Sequence, residues 1–207
     1  WEEKLQDVST LALPMDYARP SVHSTNGASI SSVLDKTLTA SLDSLCRSEG
    51  VTLFMFLLSA FKVLLSRYSG QSDICVGTPI ANRTQLELED MIGFFVNTIA
   101  LRSDLSGNPS FSNLLARVKQ TTLEGYDHQL APFEKVVDRV VITRDMSMNP
   151  LFQVLFVLQN TPDASRELNL ENIKISNYKF DNITSQFDLM LNVFEDNNGI
   201  SLEMSYC

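Results

Sequence analysis

The sequence predicts an α/β or α+β fold built on a mixed β-sheet. Short apolar and β-branched runs, typical of strands buried on both faces, alternate irregularly with helical patterns. The end of the chain is predicted to be β, with an Asn-Asn-Gly turn between two strands. The 207 residues are enough for one large domain or two small ones, and a hydrophobic content of 44% can supply a packed core.

The predicted helices follow from caps, breakers and apolar spacing. Gly50 ends one of them, Thr52 and Ser110 cap two others, and Pro132 suits the first turn of another. The stretch that begins at Leu53 is apolar nearly all round, which predicts a helix buried in the centre of the domain. The predicted helices are Trp1–Leu11 (the tail of a helix), Thr39–Glu49, Leu53–Tyr68, 109–125 and Pro132–Val140.

The central predicted strand is Met91–Arg102, with the sequence MIGFFVNTIALR. Gly93, near its start, can adopt backbone conformations denied to other residues. Asn97 and Thr98 interrupt the apolar run, and buried polar side chains need hydrogen-bond partners. They are either satisfied core residues or residues that line a cleft. The other predicted strands are Ser29–Leu34, Asp73–Ile80, Leu151–Gln159, Ile173–Phe180, Phe187–Phe194 and Ile200–Tyr206.

Charge and cysteine content argue against several functions. The net charge is −9 and the pI is about 4.7, with no basic run, which disfavours a nucleic-acid backbone as the main partner. Cys46, Cys75 and Cys207 are too widely spaced for a disulfide framework or a zinc motif, so we expect free thiols in a reducing compartment, the cytoplasm. The helix Leu53–Tyr68 carries Lys62 and is short for a membrane span, so no membrane is expected.

The residues contain no complete catalytic constellation. His23, in a polar stretch, is predicted to be exposed, and His128 lies in the loop YDHQLAPFE between two helices. Neither is near a Ser or Cys in a nucleophile motif. There is no Gly-rich phosphate loop and no cluster with metal-ligand spacing, so we expect no bound metal. Because the chain starts at Trp1 and its last residue, Cys207, falls in a predicted strand, we expect it to be one module of a longer protein.

Five segments, taken in order, resemble the condensation domains of nonribosomal peptide synthetases. Met91–Arg102 is similar to the family motif IGxFVNTxxLR, His128–Glu134 (HQLAPFE) to HQDxPFE, and Arg144–Gln153 (RDMSMNPLFQ) to RDxSRNPLFQ. Asp73–Arg83 and Leu13–Pro20 resemble the recurring stretches DIxVGTPxxxR and LPxDxxRP. Each segment alone is weak evidence, but their common order and spacing are specific, and the resemblance covers essentially the whole chain.

The resemblance implies a chloramphenicol-acetyltransferase-like lobe, in which helices flank a mixed sheet. Condensation domains pair two such lobes around a tunnel, where a donor acyl thioester meets an acceptor amine; both arrive on 4'-phosphopantetheine arms of carrier proteins. The family's catalytic HHxxxDG motif lies in the N-terminal lobe and is absent from this sequence. Residues 1–207 therefore resemble a C-terminal lobe that is inactive alone and binds no cofactor directly. Its implied partners are the N-terminal lobe, donor and acceptor carrier proteins and an adjacent adenylation domain.

The resemblance also implies roles for individual residues, none of them catalytic. Those expected to line or brace the substrate channel are Asn97, Thr98, Gln129, Asn149 and Ser185. Those expected to hold structural motif positions are Gly93, His128, Pro132, Phe133, Arg144, Asp145 and Pro150, with Arg144 and Asp145 paired locally. The loop Ala81–Asp90 would bridge to the other lobe, and the segment Ser185–Leu189 would belong to a second crossing between the lobes.

Several alternatives stay open. Met148 stands where the family has Arg, which removes a donor fork, and Leu130 and Ala131 replace the acidic residue and its neighbour in the HQ motif. The FVNT-type signature disfavours an epimerisation domain, whereas a cyclisation domain is not excluded. Outside the peptide-forming class, the lobe would be a non-catalytic module that docks carrier protein, or a stand-alone acyltransferase, which the absence of HHxxxDG disfavours.

Overall fold

A computed structural model describes residues 1–159, 184–196 and 199–207. Five α-helices and six strands lie in this part of the chain, with one short 3₁₀ helix, Leu86–Leu88. The helices are α1 (Glu2–Leu5), α2 (Lys36–Glu49), α3 (Leu53–Ser69), α4 (Phe111–Asp127) and α5 (Phe133–Val140). The strands are β1 (Ala28–Leu34), β2 (Asp73–Ile80), β3 (Asn97–Asp104), β4 (Val154–Gln159), β5 (Leu189–Asp196) and β6 (Gly199–Tyr206).

The six strands form one mixed sheet in the order β1-β6-β5-β4-β2-β3. Strands β2, β4 and β5 are parallel, whereas β3 is antiparallel to β2, and β6 is antiparallel to both β5 and β1. Helices lie against the sheet, so the predicted α/β class with a mixed sheet is confirmed. The two outer strands, β1 and β3, are the edges of the sheet within the described residues.

The main core lies between the sheet and helices α2, α3 and α4. Leu58 and Phe61 of α3 and Val118 of α4 pack against Val76 of β2 and Phe156 of β4. All five side chains are at most 3% exposed. Burying an apolar side chain of this size stabilises a fold by about 1.5–3 kcal/mol, so this interface holds the helices on the sheet.

Lys62 lies inside this core and is fully buried. Its Nζ donates hydrogen bonds to the backbone oxygen of Leu101 and to Oγ of Ser103, both at 2.7 Å. Burial lowers the pKa of Lys62 to about 7. Leu64 and Tyr68, on the other side of α3, are exposed. The prediction of a helix buried in the centre of the domain is therefore wrong: α3 covers one face of the sheet and presents its other side outward.

The opposite face of the sheet carries a second, smaller core under α1 and α5. Phe133 of α5 packs on Phe152, and Phe152 stacks on Phe187, with ring centroids 5.4 Å and 5.9 Å apart. Gly77 of β2 lies directly beneath Phe152, and a Cβ on that glycine would overlap the ring. The glycine is needed for close approach, since its φ is negative.

Most predicted helix ends are confirmed. Thr52 and Ser110 accept hydrogen bonds from the backbone N–H of Met55 and Asn113, as N-caps do. Gly50 ends α2 with φ of 63°, in the left-handed region. Helix α2 begins at Lys36, earlier than predicted, because Asp35 caps it through a bond from Leu38 N; the tail predicted over Trp1–Leu11 is only the four residues of α1.

The central predicted strand is shorter than the sequence indicated. Pairing with β2 begins at Asn97, opposite Ile80, so residues 91–96 belong to no strand. Ile92 and Phe94 are 103% and 93% exposed, which corrects the expectation of a strand buried on both faces. Gly93 has no positive φ, so it does not use the conformational freedom that glycine allows.

Strand β4 likewise begins later than predicted. Leu151 has a φ of 66°, and Phe152 N donates to Pro150 O at 2.8 Å, which is a γ-turn. The strand starts only at Val154, after this turn. The β5–β6 pair confirms the predicted antiparallel end of the chain. The predicted strand Ile173–Phe180 and the Asn-Asn part of the turn lie outside the described residues.

Among the described residues, no single helix is both long and apolar enough to cross a membrane. Helices α2 and α3 pass that test together by length and composition, but the chain bends by 102° between them. The three cysteines, all of them described, are free thiols: Cys46 and Cys75 are buried and Cys207 is exposed.

Candidate functional site

Asn97 uses its whole side-chain amide to hold the loop that follows α4. Its Nδ2 donates to the backbone oxygens of Gln129 and Ala131, both at 2.8 Å. Its Oδ1 accepts from Phe133 N at 3.1 Å. The side chain thus joins the FVNT segment to the HQLAPFE segment, and it satisfies polar groups that would otherwise be half-buried and unpaired. Thr98 is half-buried and lies opposite Pro79 of β2.

The HQLAPFE loop is held from several sides. His128 ends α4; its backbone oxygen accepts from Trp1 Nε1 at 3.0 Å, and its Nδ1 contacts Glu124 O at 3.0 Å. Pro132, predicted as the first helical residue, is the N-cap of α5, which begins one residue later at Phe133; its oxygen accepts from the backbone N–H of Lys135 and Val136. The ring of His128 thus contacts the last turn of α4, and its carbonyl binds Trp1.

A second group of predicted residues surrounds the start of β4 and β5. Asn149 Nδ2 donates to Gln186 O at 2.6 Å. Ser185 is 1% exposed, and its Oγ donates to Phe187 O at 2.6 Å. Ser185 N donates to Thr25 O at 2.9 Å. The side chains of Asn149 and Ser185 therefore shape the segment that leads into β5.

Gln153 was not recognised as a candidate from the sequence, although it is the polar residue in an apolar run. It is 3% exposed; its Nε2 donates to Asn149 O at 3.0 Å, and its Oε1 accepts from Leu11 N at 2.9 Å. One buried amide thus ties the extended N-terminal segment to the turn before β4.

An ionic cluster that the sequence did not reveal lies next to these residues, just before β5. Arg19 forms a bidentate ion pair with Asp188 and also donates to Ser147 O at 3.2 Å. The hydrogen bond with Asp188 raises the pKa of Arg19. His23 Nε2 lies 3.4 Å from Asp188 Oδ1 and 3.7 Å from Cys207 Sγ, and its side chain is only 16% exposed. The prediction of an exposed His23 is therefore wrong, because Asp188 and Cys207 enclose it.

These three side chains are not arranged as a nucleophile, base and acid. In a Cys-His-Asp relay the thiol and the carboxylate contact different imidazole nitrogens. Here both Cys207 and Asp188 approach Nε2 of His23. The arrangement of His23, Asp188 and Cys207 therefore differs from that of a catalytic relay.

One further ion pair involves a predicted residue. Arg144 pairs with Asp138 at 2.5 Å, not with Asp145 as expected, and both partners are more than half exposed. Asp145 instead accepts hydrogen bonds from Ser147, which lower its pKa. An exposed ion pair such as Arg144–Asp138 stabilises a fold by about 0.2–1 kcal/mol at most.

Arg102, at the end of the IGxFVNTxxLR segment, binds Asp73 through Nε at 2.7 Å and Nη2 at 2.9 Å. It also donates to the backbone oxygens of Lys4, Gln6 and Asp7. Burial opposes the ionisation of Asp73, but the hydrogen bond from Arg102 and one from Ser9 N outweigh it, so the pKa of Asp73 lies below its usual value. Arg102 thereby fixes α1 and the chain after it against the sheet.

The structure divides the predicted channel residues into two groups. Asn97, Thr98 and Gln129 lie where β2 ends, since Asn97 is opposite Ile80. Asn149 and Ser185 precede β4 and β5, which run parallel to β2, so these two residues lie at the opposite end of the strands. A cleft of about 580 Å³ at that end is lined by Asn149, Pro150, Arg144, Asp145 and His23, with other residues.

Comparison with known proteins identifies the family. The family model described as condensation domain matches residues 1–207. The chain belongs to the condensation-domain family. Relatives include a linear gramicidin synthase of Brevibacillus parabrevis, 48% identical over 212 residues, and chondramide synthase cmdD of Chondromyces crocatus, 46% identical over 206 residues. Each alignment covers all of this chain but only 4% and 5% of those proteins, respectively.

Solved structures show the same fold. The X-domain from teicoplanin biosynthesis superposes with a TM-score of 0.90 and 28% identity, over 100% of this chain and 47% of that one. Holo-AB3403, a four-domain nonribosomal peptide synthetase bound to AMP and glycine, superposes with a TM-score of 0.84 and 27% identity, over 98% of this chain and 16% of that one. Condensation domains as a class are acyltransferase-like enzymes that form amide bonds.

Proposed function

We propose that this chain is the C-terminal lobe of a condensation domain that forms peptide bonds in nonribosomal peptide synthesis. In that reaction, the amine of an acceptor bound to one carrier protein attacks the thioester carbonyl of a donor bound to another. The amide forms and the phosphopantetheine thiol leaves. The proposal is supported by the family match, by the five ordered motifs and by the 47% share of the teicoplanin X-domain chain that the lobe covers.

This lobe would act by framing the substrates rather than by moving protons. HHxxxDG is absent from the sequence, and the motif residues that the structure describes use their polar atoms to hold backbone segments. The general base would therefore come from the N-terminal lobe, and the isolated chain would be inactive. An adjacent adenylation domain would load the carrier proteins, and the assembly would work in the cytoplasm.

The observation that best supports a missing lobe is the exposed apolar segment before β3. Met91, Ile92, Phe94 and Val96 are 51%, 103%, 93% and 50% exposed. A run of large apolar side chains left open to water is typical of a surface that another protein segment covers. This segment directly follows the loop 81–90, which the family resemblance assigns to the crossing between lobes. The N-terminal lobe is therefore the proposed cover.

The two groups of predicted residues would contribute differently to the substrate channel. Asn97 has its Nδ2 and Oδ1 committed to the HQLAPFE loop, so it would brace the channel wall. Thr98 and Gln129 lie beside it at the end of β2. Asn149 and Ser185 would shape the channel wall at the opposite end of the strands, next to the cleft of about 580 Å³.

A complementation assay tests the proposal. The chain is mixed with a separately produced N-terminal lobe that carries HHxxxDG, together with donor and acceptor carrier proteins loaded with aminoacyl groups. Mass spectrometry then monitors the peptidyl thioester on the acceptor. Product from both lobes together, and none from either alone, is expected. Product from this chain alone would refute the assignment of the base to the other lobe.

Two variants sharpen that assay. The double substitution Ile92→Ser and Phe94→Ser removes the exposed apolar surface, and we expect it to weaken association of the lobes and to lower product formation together. Tyr68→Ser removes an exposed aromatic side chain at the end of α3, 66% exposed and distant in sequence from the segment before β3, and serves as the control. Equal loss in both variants, or no loss in the first, would contradict the proposed interface.

A carrier-protein docking module is the second candidate function. Leu130, Ile142 and Met146 are 68%, 100% and 72% exposed on the loops that surround the motif residues. Apolar side chains at such positions suit a protein contact. Binding of a carrier protein by this chain alone, without product in the complementation assay, would favour this candidate over the catalytic lobe.

A further inference from the structure

Three potential metal ligands from distant parts of the sequence lie close together where β5 begins and β6 ends. His23 follows the LPMDYARP segment, Asp188 precedes β5 and Cys207 follows β6. One ligand atom from each, the imidazole nitrogen, a carboxylate oxygen and the thiol sulfur, lies within 4.8 Å of the other two. No other group of this kind is found among residues 1–159, 184–196 and 199–207.

The two separations that involve the imidazole fit tetrahedral coordination. With zinc bound at about 2.0–2.1 Å from nitrogen or oxygen and about 2.3 Å from sulfur, tetrahedral angles place N and O about 3.4 Å apart and N and S about 3.6 Å apart. In the structure, His23 Nε2 lies 3.4 Å from Asp188 Oδ1 and 3.7 Å from Cys207 Sγ. Both distances converge on the same imidazole nitrogen, as they must when three ligands share one ion.

The supporting contacts hold the ligands in place. Cys207 N donates to Asp188 O, and His23 N donates to Met146 O at 3.0 Å, so backbone bonds fix the positions of two ligands. Arg19 binds both oxygens of Asp188 and sets the plane of the carboxylate. Each carboxylate oxygen has a second lone pair that Arg19 does not use, which leaves a site for a cation. Carboxylates that bind a metal in proteins commonly also accept hydrogen bonds from a neighbouring side chain, as Asp188 does from Arg19.

The charges are compatible with a divalent cation. Metal binding would release the proton of the Cys207 thiol, so the bound thiolate and Asp188 would carry one negative charge each and Arg19 one positive charge, a sum of −1. Asp145, whose carboxylate also acts on Arg19, adds further negative charge nearby. A thiolate with an imidazole favours zinc over the hard cations magnesium and calcium.

We infer that His23, Asp188 and Cys207 bind a zinc ion, with the fourth position open to water. The ion would join the segment after Pro20 to the start of β5 and the end of β6. It would stand beside the cleft of about 580 Å³, which His23 lines. A partly exposed site with three protein ligands would hold these segments together and would take no part in peptide-bond formation.

Metal binding to the full-length protein tests the inference. Protein free of affinity tags and stripped with chelator, under a thiol-sparing reductant, is titrated with Zn²⁺ against a chromophoric chelator. Co²⁺ is then used as a spectroscopic substitute. We expect one Zn²⁺ per chain, a higher unfolding temperature with zinc, and a thiolate-to-cobalt charge-transfer band in the near ultraviolet.

The variants identify the ligands. Cys207→Ser should abolish the charge-transfer band, and His23→Gln should weaken zinc binding by at least about 10–100-fold, the loss usual even for outer partners of a site. Cys46→Ala and His128→Gln remove a thiol and an imidazole outside the cluster and should change neither result.

Three outcomes would overturn the inference. One is no stoichiometric zinc binding by the unaltered protein. Another is binding that Cys207→Ser leaves unchanged, which would make the metal adventitious. If Cys207→Ser does not fold by circular dichroism, the unaltered protein decides, because a cobalt spectrum without a thiolate band would exclude Cys207 as a ligand.

Discussion

Replacing the buried lysine of α3 gives the sharpest test of how the main core is held. Lys62→Met removes an amine that is fully buried and bonded to Leu101 O and Ser103 Oγ. Burial lowers the pKa of Lys62 from 10.5 to about 7. A neutral amine has two N–H groups, which match these two acceptors, whereas a third N–H on the ammonium finds no acceptor in the part of the chain that the structure describes.

The magnitude follows from the pKa. Lowering the pKa from 10.5 to about 7 means that folding disfavours the charged amine relative to the neutral amine by roughly 5 kcal/mol. Because the folded pKa is lower than the unfolded one, the unfolded chain holds the extra proton between pH 7 and pH 10.5. The free energy of unfolding therefore rises with pH in this window, by about 1.4 kcal/mol per pH unit, and it is flat below pH 7.

Urea unfolding of both proteins at pH 6, 7, 8 and 9 measures this effect. We expect the unaltered protein to gain about 2–3 kcal/mol over Lys62→Met between pH 7 and pH 9. Lys135→Met, which removes an exposed lysine of α5, is the control and should show no such gain. A difference between unaltered protein and Lys62→Met that stays constant over this range would refute the buried, neutral amine.

Three other substitutions test the contacts around the site. Asn97→Ala removes three hydrogen bonds and should lower the free energy of unfolding by about 2–4 kcal/mol, measured in urea; a loss under about 0.5 kcal/mol would contradict the bracing role. Gly77→Ala should cost about 1–3 kcal/mol by overlap with the Phe152 ring, and Phe152→Leu in the same chain should restore part of it. Arg102→Met should remove stability that Asp73 contributes above about pH 4 and loses as the pH falls through its lowered pKa; identical acid denaturation of the two proteins would refute this.

The parts of the fold that depend on local chemistry were predictable from the sequence. Thr52 and Ser110 cap their helices through the side chain, and Gly50 ends α2, because each needs only neighbouring backbone groups. The start of β3 was not predictable, since residues 91–96 have the same apolar, β-favouring composition as the strand. Only the register with β2, in which Asn97 meets Ile80, decides where pairing begins.

The contacts of the candidate site were harder to predict from the sequence than the helix ends, because they join residues that are distant in the chain. Arg19 and Asp188 are 169 residues apart, and neither belongs to a motif that pairs them in sequence. The burial of His23 follows from that pair and from Cys207, so its polar neighbours in the sequence gave the wrong expectation. Asn97 was recognised as unusual because it interrupts an apolar run, but its partners Gln129 and Ala131 become neighbours only in the folded chain.

A common physical role connects the motifs that revealed the family. Asn97 fastens the HQLAPFE loop to β3, Gln153 fastens the N-terminal segment to the turn before β4, and Arg102 fastens α1 to the sheet. Each places a polar side chain where one segment's backbone would otherwise lack a partner, and such groups are costly to leave unpaired. Substituting any of them should therefore loosen a boundary between segments before it touches chemistry. If the chain is the C-terminal lobe proposed above, these motif residues would set the shape of the channel wall, and the rate of peptide-bond formation would report that shape only when both lobes are present.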